Sequence, residues 1–285
     1  MILNIKPVTD GFAATVSGVA LQAPLNPDLA AEIESAMDEY AVLVWRDQPM
    51  DDDQHMAFTK LFGNLDAGLL NVTKKPSRFK HKGFIDIANV GIDGEIMARD
   101  DGAITSSLAN QFWHSDSSFT QTVAKYSMLS ARVIPDDGGD TEFADLRAAC
   151  DALPDDLRAI VADLIAEHHA LHSRMLLGNA YSQEQMANLP PSHWPLVRTH
   201  PGSGRQILFV PIHISRILGM SVPESRMLVS ELIEHATQPQ FVYRHRWRPG
   251  DLVMWDNRCT LHRGRRFDLT ERRDLRRTTT MEEMA

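Results

Sequence analysis

The chain has 285 residues, 43% of them hydrophobic and 24% charged, a composition that fits a folded globular protein and excludes disorder as its main state. Its 38 acidic residues against 29 basic ones leave a formal charge of −9, so neither nucleic acid nor an anionic membrane surface is an expected partner. Two cysteines cannot build a disulfide framework, MILNIKPVTD lacks the pattern of a secretory signal, and no apolar run approaches the roughly 18–20 residues of a bilayer span; a cytoplasmic protein is expected.

In chain order, Leu29, Ile33, Met37 and Tyr40 recur at helical spacing and predict a helix over 28–40, followed by the buried strand AVLVW over 41–45. A second helix is predicted over 52–62, ending at Gly63. A third is expected over 154–172, with Leu157, Ile160, Val161, Leu164 and Ile165 on one face, and a fourth over 223–236, carrying Met227, Leu228 and Leu232. Between them lie short β-rich runs punctuated by turns: FIDIANV before Asp93-Gly94, ARVIP before Asp137-Gly138-Gly139, QILFVP after Gly202-Ser203-Gly204, FVYRHRW before Pro249-Gly250, and then DLVMW. Short strands with few helices predict a mainly β fold with flanking helices, an antiparallel sandwich or jelly roll rather than a βαβ alternation. No linker or repeat splits the chain, so a single domain over 1–285 with a helical insertion around 150–195 is expected. No Gly-rich phosphate loop opens a helix after a strand, and nucleotide binding has no support.

Chemistry concentrates first in Trp113-His114-Ser115-Asp116-Ser117-Ser118-Phe119. Read as a strand, this segment projects His114 and Asp116 from one face, close enough to share an ion. Two neutral imidazoles and one carboxylate leave the remaining positions of an ion open, the arrangement of non-heme Fe(II) oxygenases, so a second histidine is needed. Of the twelve histidines His262 is the best third ligand, because it follows the apolar LVMW strand in Asp256-Asn257-Arg258-Cys259-Thr260-Leu261-His262. Residues 258–277 carry eight arginines against three acidic residues, which calls for an anion nearby. Most of these arginines, Arg263, Arg265 and Arg266 included, read as a solvated face paired with acids elsewhere. Arg273 and Arg277 differ: on a strand over 273–280 they share a face with Leu275 and Thr279, and two guanidinium forks beside a metal imply that two acids are held there.

With WHSDSSF, GGDTEFADLRAACDALP, WPLVRTHPGSGR, DLVMWDNRCTLHRG and LRRTTT in order, the chain resembles the TauD/TfdA family of Fe(II)/2-oxoglutarate-dependent dioxygenases, most of all its 2,4-dichlorophenoxyacetate (aryloxyalkanoate) branch. The resemblance runs from AVLVWRDQ through FGNLD to the C-terminal arginines. It implies a double-stranded β-helix core, iron held by His114, Asp116 and His262, and Arg273 with Thr141 on the far carboxylate of 2-oxoglutarate. It further implies Arg277 on the acidic head of the substrate and His213 as a second contact to that head. By residue type alone, a histidine between Ile212 and Ile214 reads as a core residue. Asn71 and Glu95, expected at the substrate mouth, stand where relatives of that branch carry lysines, which puts an identical substrate in doubt.

The implied reaction consumes O2 and 2-oxoglutarate, with ascorbate as a possible reductant, and releases succinate and CO2 while hydroxylating the carbon next to the carboxylate of an aryloxyacetate. The product then splits into a phenol and glyoxylate. Sulfonates, alkyl sulfates and aryl-alkenyl acids offer the same anionic head to Arg277. A zinc hydrolase built on Glu167-His168-His169-Ala170-Leu171-His172 is a rival, though the glutamate of the HExxH pattern is replaced by His169. A non-catalytic anion-binding jelly roll is another, opposed by the overall negative charge. By analogy with the family, a homo-oligomer is expected.

Overall fold

The computed structural model describes residues 3–9, 11–23, 27–66 and 77–282. A hairpin of β1 (Asn4–Thr9) and β2 (Phe12–Ser17) leads through helix α1 (Pro27–Tyr40) to β3 (Val42–Trp45), which lies parallel to β2. The amphipathic spacing works as expected: Leu29, Ile33 and Met37 are buried under the sheet face. Helix α2 (Asp52–Thr59) starts from a capping box in which Asp51 and Gln54 satisfy each other's backbone N–H groups, and a 3-10 turn over Lys60–Phe62 carries it to Gly63.

The edge strand β4 (Ile85–Ala88) and helix α3 (Gly102–Ser107) precede the long β5 (Ala124–Val133) and β6 (Thr141–Asp145). Helices α4 (Leu146–Asp151) and α5 (Asp155–Val161) follow, then β7 (Ile165–His168), α6 (His172–Leu176), α7 (Gln183–Ala187), β8 (Ser192–Pro195), β9 (Val197–Thr199), β10 (Gln206–Leu208) and β11 (Ile214–Ile217). After α8 (Val222–Ala236), capped by Ser221 and Glu224, come β12 (Val242–His245), β13 (Leu252–Asp256), β14 (Thr260–Gly264) and β15 (Asp274–Met281).

Seven strands form the main sheet in the order β1-β2-β3-β13-β5-β15-β4, and β12-β6-β14 form a smaller sheet against it. The apolar β13 sits at the centre because both of its faces are covered: Leu252 and Met254 join α1 in one core, while Val253 and Trp255 pack with Phe143 and Leu261 in the other, between the sheets. The two sheets are the double-stranded β-helix, with helices outside.

The segment 150–195 departs from the expected helical insertion. The predicted 154–172 helix stops at Val161, and Ile165–His168 becomes β7, hydrogen-bonded on both sides by β8 and β11. Its apolar residues fit either period over so short a run. Ladders on both edges decide for the strand; Ile165 on it is 41% exposed, and Ile160, still on α5, is 49% exposed.

Candidate active site

His114 does not lie in a strand. It forms an isolated antiparallel bridge with His262, its N–H donating to the His262 carbonyl at 3.0 Å and its own carbonyl accepting from the His262 N–H at 2.8 Å. Cross-strand pairing therefore sets the two histidines directly opposite each other, ring centroids 4.1 Å apart. The chain then turns, and Asp116 arrives beside them through this turn rather than by strand alternation. The turn needs a left-handed residue, Ser117 at φ 48°, whose hydroxyl donates to Asp66. Such conformations cost on the order of 1–3 kcal/mol and persist where the surroundings over-determine them.

One ligating atom from each of His114, Asp116 and His262 lies within 4.8 Å of the others, and all three residues are buried. The His114 Nδ1–H faces the Phe112 carbonyl at 2.8 Å, which fixes the tautomer and frees Nε2. His262 is braced by Trp255 and Phe143, and its Nδ1 is buried with no hydrogen-bond partner among the described residues. Burial pushes both imidazoles below the usual histidine range and so keeps them neutral. Burial would raise the Asp116 carboxyl, but the Arg277 guanidinium above all holds it down to about 2, with Ser127 Oγ donating at 2.7 Å. Two neutral imidazoles and an ionised carboxylate are the protonation states that a ferrous ion takes as ligands, so the residues fit that metal.

With Asp116 beside them, paired to Arg277, His114 and His262 face a cavity of about 830 Å³ whose inner wall includes Thr141, Leu129, Trp255, Arg273 and Arg277. Both arginines reach it as the sequence pattern expects, although Arg273 precedes β15 and a register shift follows Asp274. Arg276, between them in register, points away to pair with Asp52. Arg273 is 7% exposed and donates to the carbonyls of Gly139 at 3.1 Å and Ile87 at 3.2 Å. It has no carboxylate in ion-pair contact among the described residues, and burial lowers its pKa to about 10. A buried cation with only neutral partners is a seat for an anion. Gly139 is required there: at φ +69°, any Cβ would also come within 3.1 Å of the Arg273 Nε. Thr141 Oγ1 accepts from Trp247 Nε1 at 3.0 Å, leaving the threonine proton free to donate to the same anion.

Asn89 holds this end in place, and the sequence pattern does not reveal it. Its Oδ1 accepts the Arg273 N–H at 2.8 Å, while Nδ2 donates to the carbonyls of Leu269 at 3.0 Å and Glu271 at 2.7 Å. Nothing marks it in FIDIANV, because its partners are backbone groups some 180 residues away.

Of the expected substrate contacts, Arg277 lines the cavity but is also paired to Asp116. His213 does not join the cavity wall. A Ser118 hydroxyl at 3.1 Å from Nδ1 and the edge of Phe119 at 5.0 Å draw its ring in behind His114, so the residue-type reading, a core histidine, describes it better. Glu95 is exposed on the Val90–Ile96 hairpin, one residue before the cavity-lining Ile96; Asn71 lies outside the described residues. Arg263 and Arg265 pair with Glu142, as expected of a solvated face.

The zinc pattern dissolves, since His168 ends β7 and His172 opens α6 rather than sharing a helix face. A second cluster, His200, Asp256 and Cys259, is an ion-pair network: Arg258 and His200 occupy the Asp256 carboxylate, and burial keeps the Cys259 thiol protonated.

Residues 4–279 match the family model described as taurine catabolism dioxygenase TauD, TfdA family. The chain belongs to this family. It is 55% identical over 284 residues to the alpha-ketoglutarate-dependent 2,4-dichlorophenoxyacetate dioxygenase of Cupriavidus pinatubonensis, covering 99% of each chain. With the enzyme of the same description from Burkholderia sp. strain RASC it shares 54% identity over 282 residues, 99% of this chain and 95% of that one. The crystal structure of AAD-2 in complex with Mn(II) and N-oxalylglycine matches with a TM-score of 0.91 at 46% identity, covering 99% of this chain and 97% of the other. The protein is an Fe(II)- and 2-oxoglutarate-dependent dioxygenase acting on a small organic molecule. Among the described residues no helix is long and apolar enough to cross a membrane.

Proposed function

We propose that the dioxygenase hydroxylates the carbon between ether oxygen and carboxylate of an aryloxyalkanoic acid. An aryloxyacetate and O2, with 2-oxoglutarate as co-substrate, then give the hydroxylated ether, succinate and CO2; the ether collapses to a phenol and glyoxylate. The observation that carries this reading is a pair of guanidinium groups on one cavity with His114 and His262 of the triad, one of them with no carboxylate in ion-pair contact among the described residues. The relatives' substrates support the choice of acid.

Iron bound by the triad, together with 2-oxoglutarate, supplies the oxidising power for inserting oxygen into a C–H bond. The chain's own residues decide position. Arg273 and Thr141 take the far carboxylate of 2-oxoglutarate, the arginine fork held in advance by Gly139 and Ile87. Arg277 keeps Asp116 in place through Nη1 and offers the rest of its guanidinium to the substrate's carboxylate. Because a misplacement of about 1 Å can cost roughly 100-fold in rate, this clamp controls turnover as well as binding. The free, buried Cys150 and Cys259 fit a reducing compartment, and the cytoplasm is the location we propose. The test is a panel of aryloxyacetates, alkyl sulfates and sulfonates with Fe(II) and 2-oxoglutarate: phenol and succinate released in equal amounts are expected. Succinate release confined to the sulfur acids would overturn the substrate assignment.

A further inference from the structure

Asn257 follows β13, is buried, and has no part in the chemistry above. Its polar atoms converge on the metal turn. Oδ1 accepts from the Asp116 N–H at 3.1 Å and from Trp255 Nε1 at 3.0 Å, and its carbonyl accepts from Ser115 Oγ at 2.7 Å. Both groups facing Oδ1 can only donate, so the amide has one orientation and Nδ2 must face Ser127 Oγ, 2.9 Å away. The Ser127 oxygen therefore accepts a hydrogen bond from Asn257. Its own single proton is left for an acceptor, and the Asp116 carboxylate at 2.7 Å can only accept. Thr279 Oγ1, 2.9 Å from Ser127, can donate to the remaining lone pair.

We propose that Asn257 is a positioning residue that sets the direction of a relay, Asn257 Nδ2–H to Ser127 Oγ–H to Asp116, while gripping the Asp116 backbone, so that the carboxylate is presented to iron in one orientation. Two bonds from one amide fix both the main chain and, through Ser127, the side chain of the only acidic ligand in the triad. A strained turn such as this one has no regular ladder to hold it, and Asn257 supplies what a strand would have supplied.

The inference rests on the triad being the iron site. Its test is anaerobic equilibrium dialysis of Fe(II) against the wild-type chain, Ser127→Ala, Asn257→Ala and the double variant, with the thermal midpoint of each apoprotein measured alongside. Each single change is expected to raise the Fe(II) Kd roughly 10–100-fold, the range for losing a partner of a metal ligand. Since Asn257 acts in part through Ser127, the double variant should fall short of the product of the two single effects. An unchanged Kd in Ser127→Ala, or single effects that simply multiply, overturns the proposal; if Asn257→Ala does not fold, Ser127→Ala decides by its Kd alone. A wild-type chain that binds no Fe(II) removes the triad reading itself, whereas wild-type binding with an indifferent Ser127→Ala removes only the relay.

Discussion

The inner end of the cavity and its mouth are held in different ways. Inside, Asp116 is fixed by the Arg277 and Ser127 side chains, His114 by the Phe112 carbonyl, and Arg273 by the Ile87 and Gly139 carbonyls and the Asn89 side-chain amide. At the mouth Ile96 is 38% and Leu108 42% exposed, and Arg99 and Arg266 form no ion pair among the described residues. Buried groups held by several partners carry the chemistry shared by the family; exposed side chains on loops are free to change with the substrate. Asn89 is the seam between the two, with hydrogen bonds to Arg273 on one side and to Leu269, Glu271 and Met97 on the other.

The sharpest way to break this contrast is to attack the inner end. Asp116→Ala should abolish succinate release and weaken Fe(II) binding by more than the roughly 100-fold that losing an outer partner costs, measured by dialysis and coupled turnover. Arg273→Ala should raise the KM for 2-oxoglutarate by about 30-fold or more, from the 2 kcal/mol or more lost with a buried charge pair, and leave Fe(II) affinity alone. Arg273→Lys should recover little, because the planar fork is what meets a carboxylate. At the seam, Asn89→Ala removes hydrogen bonds worth about 1 kcal/mol and should raise that KM roughly fivefold, with kcat for a given acid less affected. At the mouth, Glu95→Lys should increase kcat/KM for an anionic substrate by no more than about fivefold, with the gain fading as salt is added. An effect of Glu95→Lys on Fe(II) or 2-oxoglutarate affinity as large as that of Arg273→Ala would erase the distinction between the two ends.

The same contrast explains what could be read from the sequence. His114 with Asp116 and Arg273 with Arg277 are legible as pairs at strand spacing, and His262 as the histidine that follows the apolar LVMW strand. The means by which Asp116 meets the histidines was not, since a turn with a left-handed Ser117 carries no glycine to announce it. Asn89, Asn257 and Ser127 were invisible for a related reason: each works through backbone groups or residues far away along the chain, and an asparagine beside a strand looks like any turn residue. His213 shows the opposite error, a striking residue type whose neighbours Ser118 and Phe119 decide where it points. The helix expected through Ile165 failed because cross-strand partners at Ser192–Pro195 and Ile214–Ile217 outweigh local period.

The most direct measurement is an anaerobic titration of the Fe(II)-loaded wild-type chain and of Arg273→Ala with 2-oxoglutarate, followed by the visible charge-transfer band of the chelate. The wild type should saturate at low 2-oxoglutarate and the variant should need about 30-fold more, in line with the lost charge pair. Superimposable titration curves would contradict the assignment of Arg273, buried with no carboxylate in ion-pair contact among the described residues, as the seat of the co-substrate.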